Sequence, residues 1–201
     1  MDLLRRYLRL LRIRLAARRQ PALGLHDVSR VAGRVGWSDI DELRHMNNGV
    51  YLSLMDHARL DLMLRSGAWA KIRAARMYPV VTAQSIAYRR SLVRGQRYVI
   101  ESRIAGYSDK HVYIEQRFVV DGQIWERAFV EGRFVRDGGG TVPMEELAAV
   151  VGEDLAAHPA PAWLVEWSRR VALPPSRAEA PSSWPEGSDR PGAGDEGVSV
   201  A

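Results

Sequence analysis

Between Pro79 and Val135 the chain runs through four segments of roughly ten residues each: PVVTAQSIAYRRSL, QRYVIESRIAGY, HVYIEQRFVV and QIWERAFVEGRFV. All four are rich in β-branched and aromatic residues and mostly alternate apolar with polar, the period of a strand with one face buried. Asp121-Gly122 is a strong two-residue hairpin signal and a second turn is expected over Tyr107–Lys110, so the strands follow one another antiparallel. Such a sheet needs an apolar partner. The segment from Asn48 to Ser66 supplies one, with Tyr51, Leu54, Met55, Ala58 and Leu62 at helical spacing and Gly67 as its C-terminal cap. Leu52, Leu60 and Met63 widen its apolar face beyond a surface stripe, which predicts a helix buried on most sides. Residues 30–37 (RVAGRVGW) predict one earlier strand, with Val31, Val35 and Trp37 on a common face.

One strand, one long buried helix and four strands predict an α+β chain of the hotdog arrangement, in which a curved antiparallel sheet wraps a central helix. One helix cannot cover both faces and the edges of such a sheet, and long open edge strands invite pairing. A homodimer or dimer of dimers is therefore expected. Gly138-Gly139-Gly140 reads as a flexible exit from the sheet rather than a phosphate loop, since no Lys-Ser/Thr follows it. Short helices are expected near Pro143 and over Trp163–Val171, and from Pro174 onward the Pro/Gly/Ser-rich sequence predicts a disordered tail. The chain thus divides into an arm (1–24), a folded domain (25–173) and a tail (174–201).

Charge is unevenly placed. The net charge is +5, yet residues 1–20 carry seven arginines against Asp2, or 7 − 1 = +6, leaving about −1 for everything after. A nucleic-acid protein would spread basic surface over its folded body, so no nucleic-acid partner is expected. The arm places Leu4, Leu8, Leu11 and Leu15 at helical spacing among arginines. That predicts a helix docking its leucine face on the domain; the alternative is an interfacial helix on a membrane surface. Arginines interrupt any signal-peptide core, so cleavage is not expected. The chain has no cysteine, which excludes a thiol nucleophile and thiolate metal sites and suits a cytoplasmic location, peripheral to a membrane if the arm binds one. The five histidines are scattered without zinc spacing, and His57 with Asp61 reads as a surface hydrogen bond, so neither metal nor cofactor is expected.

DIDELRHMNNGVYLSLMDHAR, followed some thirty residues later by IAYRRSL, resembles the thioesterase-like hotdog superfamily, with most likeness to the branch containing thioesterase superfamily member six and its bacterial relatives. It is similar at greater distance to plant acyl-carrier-protein thioesterases, which show Asp-x-Asn-x-His-Val-Asn-Asn and Tyr-Arg-Arg-Glu. The resemblance covers roughly residues 25–150. It implies hydrolysis of an acyl thioester, with acyl-CoA as the expected substrate.

That chemistry needs a polarised carbonyl, an activated water or carboxylate, and an apolar slot. The helix beginning at Asn47-Asn48 offers N–H groups and a positive dipole end to a developing oxyanion, and Gly49 permits close approach. Asp41 would be base or nucleophile, His45 would orient water or carry a proton, and Tyr51 would touch substrate. Arg89 and Arg90, with Arg94, would draw the phosphates of CoA or phosphopantetheine; a solvated strand end explains them equally well. The structural alternatives are that Asn47 or Asn48 only caps the helix, Asp41 only caps the loop, and Asp56 is a packing or interface residue. Two departures from the plant pattern, Leu43 and Ser91, keep a non-catalytic acyl-CoA or lipid-binding protein as the competing reading.

Overall fold

The computed structural model describes residues 3–175 and 177–182. The described residues up to Val171 form one compact unit, distinct from those after it. In the first, helix α1 (Leu3–Ala17) precedes strand β1 (Ser29–Arg34), helix α2 (Asn48–Arg65) and helix α3 (Ala68–Ala74). Strands β2 (Met77–Tyr88), β3 (Arg97–Tyr107), β4 (Val112–Val120) and β5 (Gln123–Arg136) come next, then helices α4 (Met144–Val151) and α5 (Ala162–Val171). The expected tail falls largely outside the described residues.

The five strands form one antiparallel sheet in the order β1-β3-β4-β5-β2. The β4–β5 turn is built on Asp121 (φ +48°) and Gly122 (φ +74°), the left-handed pair that a tight hairpin demands. Register slips at Val81/Ala83, Ile104/Gly106 and Phe118/Val119 mark bulges, which bend strands and curl the sheet around α2. Tyr51, Leu54, Met55 and Ala58 of α2 pack on Tyr98, Ile100, Phe118 and Ala128 of the sheet. A second apolar cluster joins Ala68 and Ile72 of α3 with Tyr107, Val112, Leu147 and Val151.

Several expectations change. The first strand ends at Arg34, and Trp37 lies in a short 3₁₀ turn over Trp37–Asp39, 70% exposed and stacked under the Arg94 guanidinium at 3.4 Å. Helix α3 was not expected; Gly67 (φ +73°) turns the chain out of α2 and straight into it. Asp61 is buried rather than on the surface, accepting from Ser29 Oγ at 2.7 Å and pairing with Arg65 at 3.3 Å. The arm docks, but through Leu10, Ile13, Ala16 and Ala17, while Leu8, Leu11 and Leu15 face solvent.

Candidate functional site

The loop before α2 is held by its own backbone and by two aspartates. Asp39, fully buried, accepts from Gly36 N–H through Oδ2 (2.9 Å), and its carbonyl receives Asn47 N–H (2.8 Å). Asp41 closes the tip: its N–H donates to His45 O (2.8 Å), and Oδ1 accepts from Leu43 N–H (2.9 Å) and His45 N–H (3.3 Å). Arg44 completes the turn at φ +64°, a conformation that costs a non-glycine residue about 1 kcal/mol or more. Asp41 Oδ2 makes no hydrogen bond among the described residues. The Asp41 carboxylate thus fixes the turn with one oxygen and leaves the other available.

The helix end has fewer free donors than a bare N-terminus. Asn47 caps α2 by accepting Gly49 N–H on Oδ1 at 2.9 Å, Val50 N–H goes to Asn47 O (2.9 Å), and Asn47 N–H is taken by Asp39. Asn48 N–H is the first-turn backbone donor left for a ligand among the described residues, with the exposed Asn47 and Asn48 side-chain amides beside it. A Cβ at Gly49 would come within 3.3 Å of Asn47 Oδ1, so a side chain there would crowd the cap.

The segment after β2 is tied to this loop. Met46 N–H donates to Leu92 O (2.7 Å), His45 bridges Val93, and Leu92 N–H donates to the Tyr51 hydroxyl (2.9 Å). Tyr51 is 1% exposed and packs edge-on against Tyr88 and Phe118; it props the loop from behind rather than facing solvent. Arg89 is exposed and spans to Ile124 O (3.3 Å), while Arg90 lies over the Trp125 ring at 5.6 Å. The fold therefore brings Asp41, His45, Asn47, Asn48 and Gly49 to one helix end, with Arg89 and Arg90 on the adjoining segment.

Glu126 was missed by the sequence reading. It is fully buried on β5, paired across to Tyr88 and Phe118, and neither oxygen has a well-formed hydrogen bond. Burial pushes its pKa up to about 7, the Tyr51 hydroxyl pulling it partly back; burial, with Glu126 adding to it, raises Tyr51 and Tyr88. The signal was present, because strand parity places Glu126 with Ala128 and Val130 on the inward face.

An apolar cavity of about 440 Å³ lies further along α2, lined by Leu60, Met63, Ile72, Tyr78, Phe134 and Leu147 among others. Asp56 and Arg59 border it; Arg59 is buried, ion-paired with Asp56 and bonded to Gln116 Oε1 (2.5 Å). Burial lowers the Arg59 pKa, with Asp56 opposing. Eleven residues separate Asn48 from Arg59, about 16 Å at 1.5 Å per residue, so cavity and helix end are distinct. Among the described residues, no group of His, Asp and Glu is arranged to hold a metal ion.

A sequence profile of the thioesterase-like superfamily matches residues 35–176. Protein THEM6 of Danio rerio is 43% identical over 89 residues, covering 44% of this chain and 44% of that protein. Protein THEM6 of Drosophila melanogaster is 34% identical over 94 residues, covering 46% and 49%. The chain thus matches less than half the length of these curated relatives. Among solved structures, YbaW, a probable thioesterase from Escherichia coli, superposes with a TM-score of 0.58 at 22% identity over 63% of this chain and 98% of that one. The DHNA-CoA thioesterase from Staphylococcus aureus gives 0.54 at 16% identity over 59% and 81%. At such identities the structural likeness is one of fold.

Proposed function

The chain belongs to the thioesterase-like superfamily, and from that premise we propose that it hydrolyses an acyl thioester, acyl-CoA before other carriers. The observation that carries the proposal is the pair of unused groups at one exposed helix end: Asp41 Oδ2 and Asn48 N–H. In this reading the thioester carbonyl accepts from Asn48 N–H, at the positive end of the α2 dipole. Asp41 takes a proton from a water as its oxygen attacks the carbonyl carbon; collapse of the tetrahedral intermediate breaks the C–S bond, and the thiolate leaves and is protonated. His45 orients that water, and the exposed Arg89 and Arg90 meet carrier phosphates.

The acyl chain needs a slot, and a second copy brings one near. Strand β2 is an open edge of the sheet, with Val81 and Tyr88 exposed along it. Its Tyr88 end touches Tyr51 at the start of α2, and its Tyr78–Val81 end lines the cavity. Antiparallel pairing of two β2 edges about a two-fold axis sets the helix end of one copy beside the cavity end of the other. This is the dimer we propose. A methylene is about as large as a water molecule, whose share of liquid volume is about 30 Å³, so a cavity of about 440 Å³ has room for roughly twelve to fifteen carbons.

The exposed Leu43, and the use of Asp41 Oδ1 in the turn, favour a second reading, a protein that binds acyl-CoA without cleaving it. Incubation with acyl-CoAs of increasing chain length, with free thiol detected, tests the proposal. Thiol release that rises with chain length to about twelve carbons supports it. Saturable binding without thiol release moves the chain to the second reading.

A further inference from the structure

Helix α1 carries two apolar stripes, and one of them is covered. At 3.6 residues per turn, Leu10, Ile13 and Ala17 project to one side, while Leu8, Leu11 and Leu15 fall within about 60° of one another on the opposite side. The first stripe is half-buried and α1 packs on α2. There Arg12 and Ile13 line a cleft of about 200 Å³ with Val31, Leu54 and Tyr98. The second stripe is open: Leu8, Leu11 and Leu15 are 42%, 41% and 44% exposed, and Tyr7 beside them 64%.

The same wheel puts Arg12 along one border of the open stripe and Arg14 along the other, and Arg18 and Arg19 follow in the turn that closes the helix after Ala17. All four are exposed, and none makes an ion pair among the described residues. Burying the stripe in another protein face would bring four unpaired guanidinium groups to the rim, which only a strongly acidic partner would suit. Leucines bordered on both sides by arginines, on a helix already anchored by its other face, match a surface that is apolar below and anionic above. We propose that the outer face of α1 is a docking surface for an anionic lipid bilayer, with the leucines entering the acyl boundary and the arginines meeting lipid phosphates. The contacts of α1 lie at the β1 side of the sheet, the edge opposite β2. A bilayer-bound copy therefore keeps β2 free, and two copies paired there would bind with the gain of bivalency.

The proposal does not depend on thioester chemistry, and its test uses no substrate. The full chain is sedimented with vesicles of phosphatidylcholine alone or mixed with phosphatidylglycerol. The expected result is sedimentation with the mixed vesicles only, weakening as salt rises. Joint substitution of Arg12, Arg14, Arg18 and Arg19 by Gln should reduce partitioning by roughly 10²-fold or more. Leu8→Gln, Leu11→Gln and Leu15→Gln together should also abolish it with little change in the melting temperature, because that stripe is the exposed one and α1 docks through the other. Arg133→Gln with Arg169→Gln, removing exposed arginines elsewhere, should have no such effect. Wild-type protein that stays in the supernatant, or a leucine variant that sediments like wild type, overturns the proposal. So does a leucine variant with smaller mass by light scattering and undiminished vesicle binding, which would make the stripe a contact between copies.

Discussion

Replacing Glu126 by glutamine should remove a loss of stability that the wild type suffers between mildly acidic and neutral pH. The carboxyl is fully buried beside Tyr51 and Tyr88 and lacks a well-formed hydrogen bond, so its charged form is disfavoured and its pKa is pushed up to about 7 from 4.5. Between those values the folded protein keeps a proton that the unfolded chain has released. Stability contributed by this group is therefore complete below about pH 4.5 and is lost as pH rises through about 7. With 7 − 4.5 as the span and about 1.4 kcal/mol for each pH unit, the loss is about 3 kcal/mol. Glutamine has nearly the shape of the protonated acid and no charge to desolvate. A fixed cost from its amide N–H groups would shift the variant's whole curve without tilting it. Urea unfolding of both proteins from about pH 5 to about pH 8 reads the difference directly. Stability of the wild type should fall relative to Glu126→Gln across that window, by 2–3 kcal/mol on the order of magnitude given by the same relation. Parallel stability curves would refute the reasoning and mean that the buried carboxylate finds a partner when it ionises.

Three further substitutions follow from the geometry. Asn47→Ala removes the acceptor for Gly49 N–H and should cost about 1 kcal/mol in urea unfolding. Gly106→Ala should cost about 3 kcal/mol or more by the same measurement: a Cβ there would lie 2.5 Å from Ala160 Cα, at φ +139°, so backbone strain and overpacking add. Val81→Lys puts a charge on the exposed β2 edge and tests the proposed pairing there: it should lower the light-scattering mass to that of one copy while the circular dichroism of the fold persists.

The strands and the central helix were legible because their periods are uninterrupted. β3, β4 and β5 begin and end within about two residues of the alternating segments. Trp37 was misplaced because parity continues through Gly36, whereas the chain leaves the sheet at Arg34 and turns to let Asp39 bond Gly36. Helix α3 has seven residues, too short for a periodic signal, and only the left-handed Gly67 announces the break. In α1 the periodicity revealed the leucine stripe but could not say which stripe faces the domain. Both faces of the helix carry large apolar residues, Leu10 and Ile13 on the docked side and Leu8, Leu11 and Leu15 on the open one, so spacing alone does not choose between them. At the site, the motif residues identified the loop but not the division of labour within it. That Asp41 Oδ1 serves the turn, and that one first-turn N–H remains unused, are facts of hydrogen-bond geometry that no spacing encodes.

The central claim rests on Asp41, and Asp41→Asn tests it most directly. The asparagine Oδ1 can still accept from Leu43 and His45 N–H, so the turn and the affinity for acyl-CoA should persist while the base is lost. Hydrolysis, followed as thiol released from a long-chain acyl-CoA, should fall in kcat by roughly 10²–10⁴-fold with the Kd for a non-hydrolysable acyl-CoA analogue unchanged. Undiminished turnover by Asp41→Asn, or a wild-type protein that binds acyl-CoA and releases no thiol, would contradict the account.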